Sequence, residues 1–111
     1  MHEMPTEVER GIDLNLYDRI RKALSKSEVV RDPEMLSAVF VIDRLYQWRD
    51  DIPEGDTVKK RVIVLIDWLY RQQNCSKQNG LVLFLKTLSD LAEENDLQRR
   101  AFGSLAEELA M

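Results

Sequence analysis

The chain has 111 residues, of which 44% are hydrophobic and 32% charged, and its formal net charge at pH 7 is −4. This length fits one domain, and the balance of apolar and charged residues is that of a globular rather than a disordered protein. No apolar stretch approaches the ~20 residues of a membrane-spanning helix. The single cysteine, Cys75, excludes an internal disulfide and is typical of a reducing compartment. These features predict one cytoplasmic domain.

The first part of the chain predicts a short N-terminal segment followed by a helix. Residues 1–12 are expected to be flexible, and residues 13–111 to form a single helical bundle domain. The start, MHEMPTEVER, lacks the basic residues and apolar core of a signal peptide. Asp13 is a suitable N-cap for a first helix. The apolar residues of that helix recur at helical spacing: Leu16, Ile20, Ala23 and Leu24.

A second helix is predicted over residues 33–48. Asp32 is its N-cap, and Pro33 occupies the first helical position, where a missing N–H costs nothing. The middle of the segment, AVFVI, would suit a strand in isolation because it is β-branched and aromatic. We predict a helix because the cap is good and no turn-bounded strand lies nearby. Pro53 and Gly55 then predict a turn.

Residues 56–73, DTVKKRVIVLIDWLYRQQ, form the densest apolar stretch and are predicted to be the central helix, capped by Asp56 or Thr57. Only a narrow wedge of this helix is polar, and a helix that is apolar around most of its circumference must be surrounded by others. Its main apolar stripe is Val58, Val62, Leu65, Ile66 and Leu69.

Two further helices are predicted, one over residues 81–95 and one from Asn95 or Asp96 onwards. Gly103, inside the last helix, costs ~1 kcal/mol relative to Ala and marks either a close helix contact or a bend. The predicted fold is an all-α, antiparallel bundle of five long helices, with a short sixth near residues 44–52.

Nothing in the sequence predicts catalysis, a cofactor or a metal. The only histidine, His2, lies in a segment expected to be frayed, and one His and one Cys cannot supply a zinc site. Adjacent carboxylates such as Glu93 and Glu94 point ~100° apart on a helix, which favours solvated faces over a shared site. We therefore predict that the protein is not an enzyme, although an enzyme that uses Cys75 stays as an alternative.

Lys59, Lys60 and Arg61 form a basic triplet that has three interpretations. The residues could surround the exposed start of a buried helix. They could bind phosphates in a small helical nucleic-acid-binding regulator, although the acidic net charge argues against that partner. They could also face an acidic patch on another copy or domain, which permits head-to-tail assembly.

The acidic turn before the predicted central helix supplies such a patch. Trp48, beside this turn, is either a core residue or an interface residue, since Trp is common in binding hot spots. The predicted protein-binding residues are Lys59, Lys60, Arg61, Asp50, Asp51, Glu54 and Trp48.

Several motifs resemble those of the bacterial effector-associated domains, which are relatives of the death-like superfamily. The resemblance covers residues 13–109. It rests on Arg21 with Leu24, on Arg31-Asp32-Pro33, on Ile52-Pro53, on the V..LI.W pattern of Val62 to Trp68 and on the L..FL..L pattern of Leu81 to Leu88.

This resemblance implies a six-helix death-like bundle without catalytic activity. It implies a homotypic adaptor that brings a protease or a nucleotide-dependent switch protein to a common complex in bacterial immunity or signalling. It assigns no catalytic or binding residue to this chain. Family members are usually fused to an effector domain, so this chain is expected to be a free-standing adaptor or a piece of a longer protein.

Overall fold

The computed structural model describes residues 11–92 and 96–111, and these residues form a bundle of α-helices without a β-strand. The predicted all-α fold is confirmed. Among the described residues no helix is both long and apolar enough to cross a membrane. The helices are α1 (Leu14–Ser25), α2 (Glu28–Arg31), α3 (Pro33–Val39), α4 (Val58–Tyr70), α5 (Gly80–Leu91) and α6 (Leu97–Ala110), with a 3-10 turn at Tyr46–Trp48.

Three expectations fall on residues outside the described ranges. They concern residues 1–10 of the N-terminal segment, including His2, the Glu93–Glu94 pair, and Asn95 as a helix start. Ile12 is described, and its half-buried side chain packs against the core.

Polar side chains fix the helix starts by accepting backbone N–H groups that would otherwise lack partners. Asp13 accepts two N–H groups of α1 at 3.1 and 3.3 Å. Asp32 accepts one at 2.9 Å at the start of α3, and Asp96 one at 2.9 Å at the start of α6. Thr57 accepts one at 3.1 Å at the start of α4. These caps confirm the predicted starts of four helices.

The helix predicted over residues 33–48 is wrong beyond Val39. The chain instead continues in turns, in which the Leu45 N–H donates to the Ile42 carbonyl at 2.9 Å and the Trp48 N–H to the Leu45 carbonyl at 3.0 Å. Phe40 and Leu45 would lie about 140° apart on a straight helix, so one of them would face solvent. Breaking the helix lets both side chains become fully buried.

Helix α2 is a single turn that the sequence did not predict, because four residues are too few to show a helical period. It carries the fully buried Val30 into the core and lies between α1 and α3. Its last carbonyls face α4, where they accept hydrogen bonds from Arg61.

Helix α5, not α4, is the most enclosed helix, so the predicted central position of residues 56–73 is wrong. All six residues from Gly80 to Leu85 are buried, followed by Thr87 and Leu88. Helix α4 buries four of the five residues of its predicted stripe and half-buries Val58, but its outer face, including Ile63, is exposed. Helix α5 therefore forms the centre of the bundle, with α4 and α6 packed against it.

Two contacts show how closely the other elements approach α5. The Phe40 ring stacks on Phe84 with 5.9 Å between the ring centroids. A Cβ atom added to Gly103 would lie 3.2 Å from Ser89 Oγ. The close-contact interpretation of Gly103 is therefore supported, because α6 crosses α5 at this glycine.

A bidentate ion pair joins α1 and α6, the first and last helices. The Arg19 guanidinium donates to both carboxylate oxygens of Glu108, at 2.8 and 2.6 Å. These hydrogen bonds hold the pKa of Glu108 below its usual value. Both side chains are partly exposed, so the pair orients α1 on α6 but contributes little to stability.

We expect Leu85→Ala to lower the free energy of unfolding by about 2–5 kcal/mol, because it leaves a cavity at the centre of the bundle. Leu97→Ala removes the same atoms from a side chain that is 81% exposed and should change stability by less than about 0.5 kcal/mol. Urea denaturation of both variants checks this. Equal losses would contradict the central position of α5.

Glu108→Gln should make stability less sensitive to acid. A carboxylate whose pKa is lowered by folding stabilises the native state above its unfolded pKa of about 4.3, and this contribution disappears as the pH falls through the folded pKa. The difference between the variant and the wild type should therefore be small at pH 7 and should shrink as the pH is lowered from 7 toward 3. Urea midpoints measured across this range test the convergence. A difference that persists unchanged at pH 3 would show that the ion pair is not its source.

Candidate protein-interaction surface

Residues 50–60, hereafter the charged segment, run from the 3-10 turn into the first turn of α4. Six of its residues carry exposed charges: Asp50, Asp51, Glu54, Asp56, Lys59 and Lys60. None of these six forms an ion pair with another residue in the described ranges. Some charges elsewhere pair, as in Arg44–Asp90 at 2.9 Å, while others, such as Lys86 and Arg100, have no ion pair among the described residues. The charged segment is distinguished by its density, because it places six exposed charges of both signs in eleven consecutive residues.

The turn before α4 lies directly against that helix. A Cβ atom on Gly55 would come within 2.6 Å of the Arg61 backbone nitrogen, so only glycine fits. This approach brings Glu54 and Asp56 to the same surface depression as Lys60. The depression measures about 310 Å³ and has Ile63 among its lining residues.

Arg61 differs from the two lysines of the basic triplet. Its guanidinium donates to the carbonyl oxygens of Val30 at 3.1 Å, Arg31 at 3.0 Å and Gly55 at 3.3 Å. The side chain is half-buried and ties the end of α2 and the turn to α4. A cation is favourable at the Val30 and Arg31 carbonyls because they lie at the C-terminal, negative end of α2. The geometry therefore assigns Arg61 a structural role and removes it from the candidate contact residues.

Trp48 is also not a candidate contact residue. Its side chain is only 6% exposed. A Cβ atom on Gly80 would lie 3.5 Å from the Trp48 ring, which shows that the ring packs against the start of α5. The 3-10 turn directs this ring inward, and the core interpretation of Trp48 is the one that the structure supports.

The structure reveals a second exposed feature, formed by Tyr46 and Arg49, that the sequence analysis missed. The Arg49 guanidinium lies 3.8 Å from the centroid of the Tyr46 ring and donates to the Tyr46 carbonyl at 2.8 Å. Tyr46 is 47% exposed, and nearby in sequence Val41 is 69% exposed. Such a stack fixes a cation beside apolar surface, and both residue types are common in binding hot spots. The i, i+3 spacing of Tyr and Arg was the available signal.

The described residues do not assemble a metal site or place a hydrogen-bonding partner beside Cys75. Among them no group of three or more His, Cys, Asp and Glu side chains is arranged to hold a metal. Cys75 is exposed in the connection between α4 and α5. The candidate site is therefore the protein surface around the charged segment.

A helical bundle that exposes a dense segment of charges of both signs and an aromatic–arginine stack has the surface of a small protein-interaction domain. The family of bacterial Death-like domain 1 matches this chain over residues 10–110, nearly its whole length. The chain belongs to this family, and the death-like relationship predicted from its motifs is confirmed. Comparison with the curated proteins and with the solved structures found no match. Death-like domains are generally non-catalytic modules that pair with other helical domains.

Arg61→Gln should lower the free energy of unfolding by about 1–3 kcal/mol, because it removes charge-assisted hydrogen bonds to backbone carbonyls. Lys60→Gln removes the neighbouring charge from an exposed side chain and should change stability by less than about 0.5 kcal/mol. Thermal and urea unfolding of the two variants compare the roles directly. If the two variants are equally stable, Arg61 has no structural role and is again a candidate contact residue.

Proposed function

We propose that this domain is an adaptor that recruits an effector by pairing with a second death-like domain, in bacterial immunity or signalling. The observation that carries the proposal is the charged segment, with six exposed charges within eleven residues, none of them ion-paired to another described residue. The family supports a protein-interaction role. The proposed effector is a protease or a nucleotide-dependent switch protein that carries a similar helical bundle, and the proposed compartment is the cytoplasm.

Pairing through the charged segment uses opposite charges on the two domains. Asp50, Asp51 and Glu54 of one domain attract basic side chains of the other, and Lys59 and Lys60 attract its carboxylates. Exposed charges of this kind steer the encounter and select the partner more than they add affinity.

The Tyr46–Arg49 stack supplies a different contribution beside the charged segment. Its ring and guanidinium are already held together, so little side-chain entropy is lost when a partner covers them. The remaining N–H groups of Arg49 suit a carboxylate, which a death-like domain with an acidic turn provides. This stack is the proposed source of affinity.

The positions of the basic side chains argue against nucleic acid as the partner. Arg61 is engaged with three backbone carbonyls, and Lys60 lies beside Glu54 and Asp56. Phosphate binding requires a coherent positive surface, which Lys60 beside two carboxylates does not form. The adaptor proposal instead uses both signs of charge.

The variant Lys59→Glu/Lys60→Glu should bind a partner death-like domain at least about tenfold more weakly, because repulsion replaces attraction. The probes are a second, differently tagged copy of the chain and any purified death-like domain that the neighbouring genes encode. Binding is measured by calorimetry at low and high salt, and the wild-type affinity should fall as salt rises.

Lys86→Glu/Arg100→Glu is the matched control, since it makes the same charge change at exposed positions on α5 and α6. It should bind like the wild type. A short DNA duplex tested at low salt should not bind. Failure of every death-like domain to bind, or binding of the duplex alone, would refute the adaptor proposal.

A further inference from the structure

Three charges of the charged segment, two acidic and one basic, lie beside each other on one face of the domain. Glu54, Asp56 and Lys60 line the same depression, without an ion pair between Lys60 and either carboxylate. Head-to-tail assembly, which one interpretation of the basic triplet permits, requires two separate patches that different neighbours can occupy. On a single face, a partner that covers the acidic side also covers the basic side.

Building on the proposed function, we infer that this face pairs with the same face of a second copy around a two-fold axis, which gives a closed dimer. A two-fold rotation places the basic side of each copy on the acidic side of the other. Lys60 of one copy then reaches Glu54 and Asp56 of the other, and the reverse contact forms at the same time. The assembly stops at two because no matching face remains free.

The composition of the depression favours a second copy over a ligand with one sign of charge. An anion attracted by Lys60 is repelled by Glu54 and Asp56, and a cation meets the opposite conflict. A second copy satisfies all three groups at once. Ile63, 39% exposed beside these charges, also gains an apolar neighbour when the same surface of another copy covers it.

The small size of this face sets the expected strength of the dimer. Stable interfaces usually bury more than about 1,000 Å² in total, and a depression bordered by a few side chains lies at the low end of that range. The dimer is therefore weak, with dissociation in the range of about 10 μM to 1 mM, and salt weakens it further.

Sedimentation equilibrium of the full chain, from about 10 μM to 1 mM, tests the inference over the range expected of a weak interface. The wild type should show a monomer–dimer equilibrium without larger species. Lys59→Glu/Lys60→Glu and Glu54→Lys/Asp56→Lys should each be monomeric, while circular dichroism shows that both remain helical. An equimolar mixture of the two variants should recover a one-to-one complex, because its two contacts are again complementary.

Matched controls separate this face from general charge effects. Lys86→Glu/Arg100→Glu carries the same net charge as the first variant, and Asp43→Lys/Glu107→Lys the same as the second. Both controls change exposed residues away from the depression and should dimerise like the wild type.

Four results would overturn the inference. Species larger than a dimer would indicate head-to-tail assembly and would leave the proposed function standing. Dimers that survive both reversals would place the interface elsewhere, and a mixture that fails to associate would exclude complementary contacts across this face. A wild type that stays monomeric at about 1 mM would exclude self-pairing at physiological strength. In that case the proposed function is tested separately, by measuring binding to any death-like domain that the neighbouring genes encode.

Discussion

The burial of α5 is the constraint on which the rest of this fold depends. Its first six residues are all buried, so no side of its N-terminal half can face water. Three separate parts of the chain enclose it: α4 on one side, α6 on another, and the turns after α3, which bring Phe40 and Trp48 onto it.

Enclosing α5 in this way also fixes the position of the charged segment. One end of the segment follows Trp48, whose ring is held in the core, and the other end is the start of α4. Between them Ile52 packs against the core, and Arg61 bonds the turn to α4 through the Gly55 carbonyl. The backbone that carries the charged side chains is therefore fixed at several points. Little backbone order remains to be gained on binding, which lowers the backbone part of its entropic cost.

The sequence predicted the features that local patterns control and missed those that depend on tertiary contacts. Helices α1, α4, α5 and α6 have 12 to 14 residues each, long enough for the helical period to show. The break after Val39 was missed, because only the need to bury both Phe40 and Leu45 forces it. The most enclosed helix was also misassigned, although the uninterrupted LVLFL of α5 was the better signal.

The composition of the candidate site also depends on tertiary contacts that the sequence does not show. Lys59, Lys60 and Arg61 look alike in the sequence, and all three stand at the start of one helix. Only the carbonyls at the end of α2, some thirty residues earlier in the chain, distinguish Arg61 from the two lysines. The neighbouring Glu54 could be predicted as exposed, but not its place beside Lys60, which depends on how closely the Gly55 backbone approaches α4.

This arrangement separates the residues that hold the segment from those that meet a partner. Gly55 has no room for a side chain, and Arg61 is bonded to three carbonyls, so both are constrained by the fold. Asp50, Asp51 and Lys59 are exposed and unpaired within the described residues, so substituting them costs the fold little. Under the proposed function, a death-like domain built in this way can change its partner through a few charges on one connection. Such substitutions leave the burial of α5 unchanged. The choice of partner can therefore change more easily than the fold.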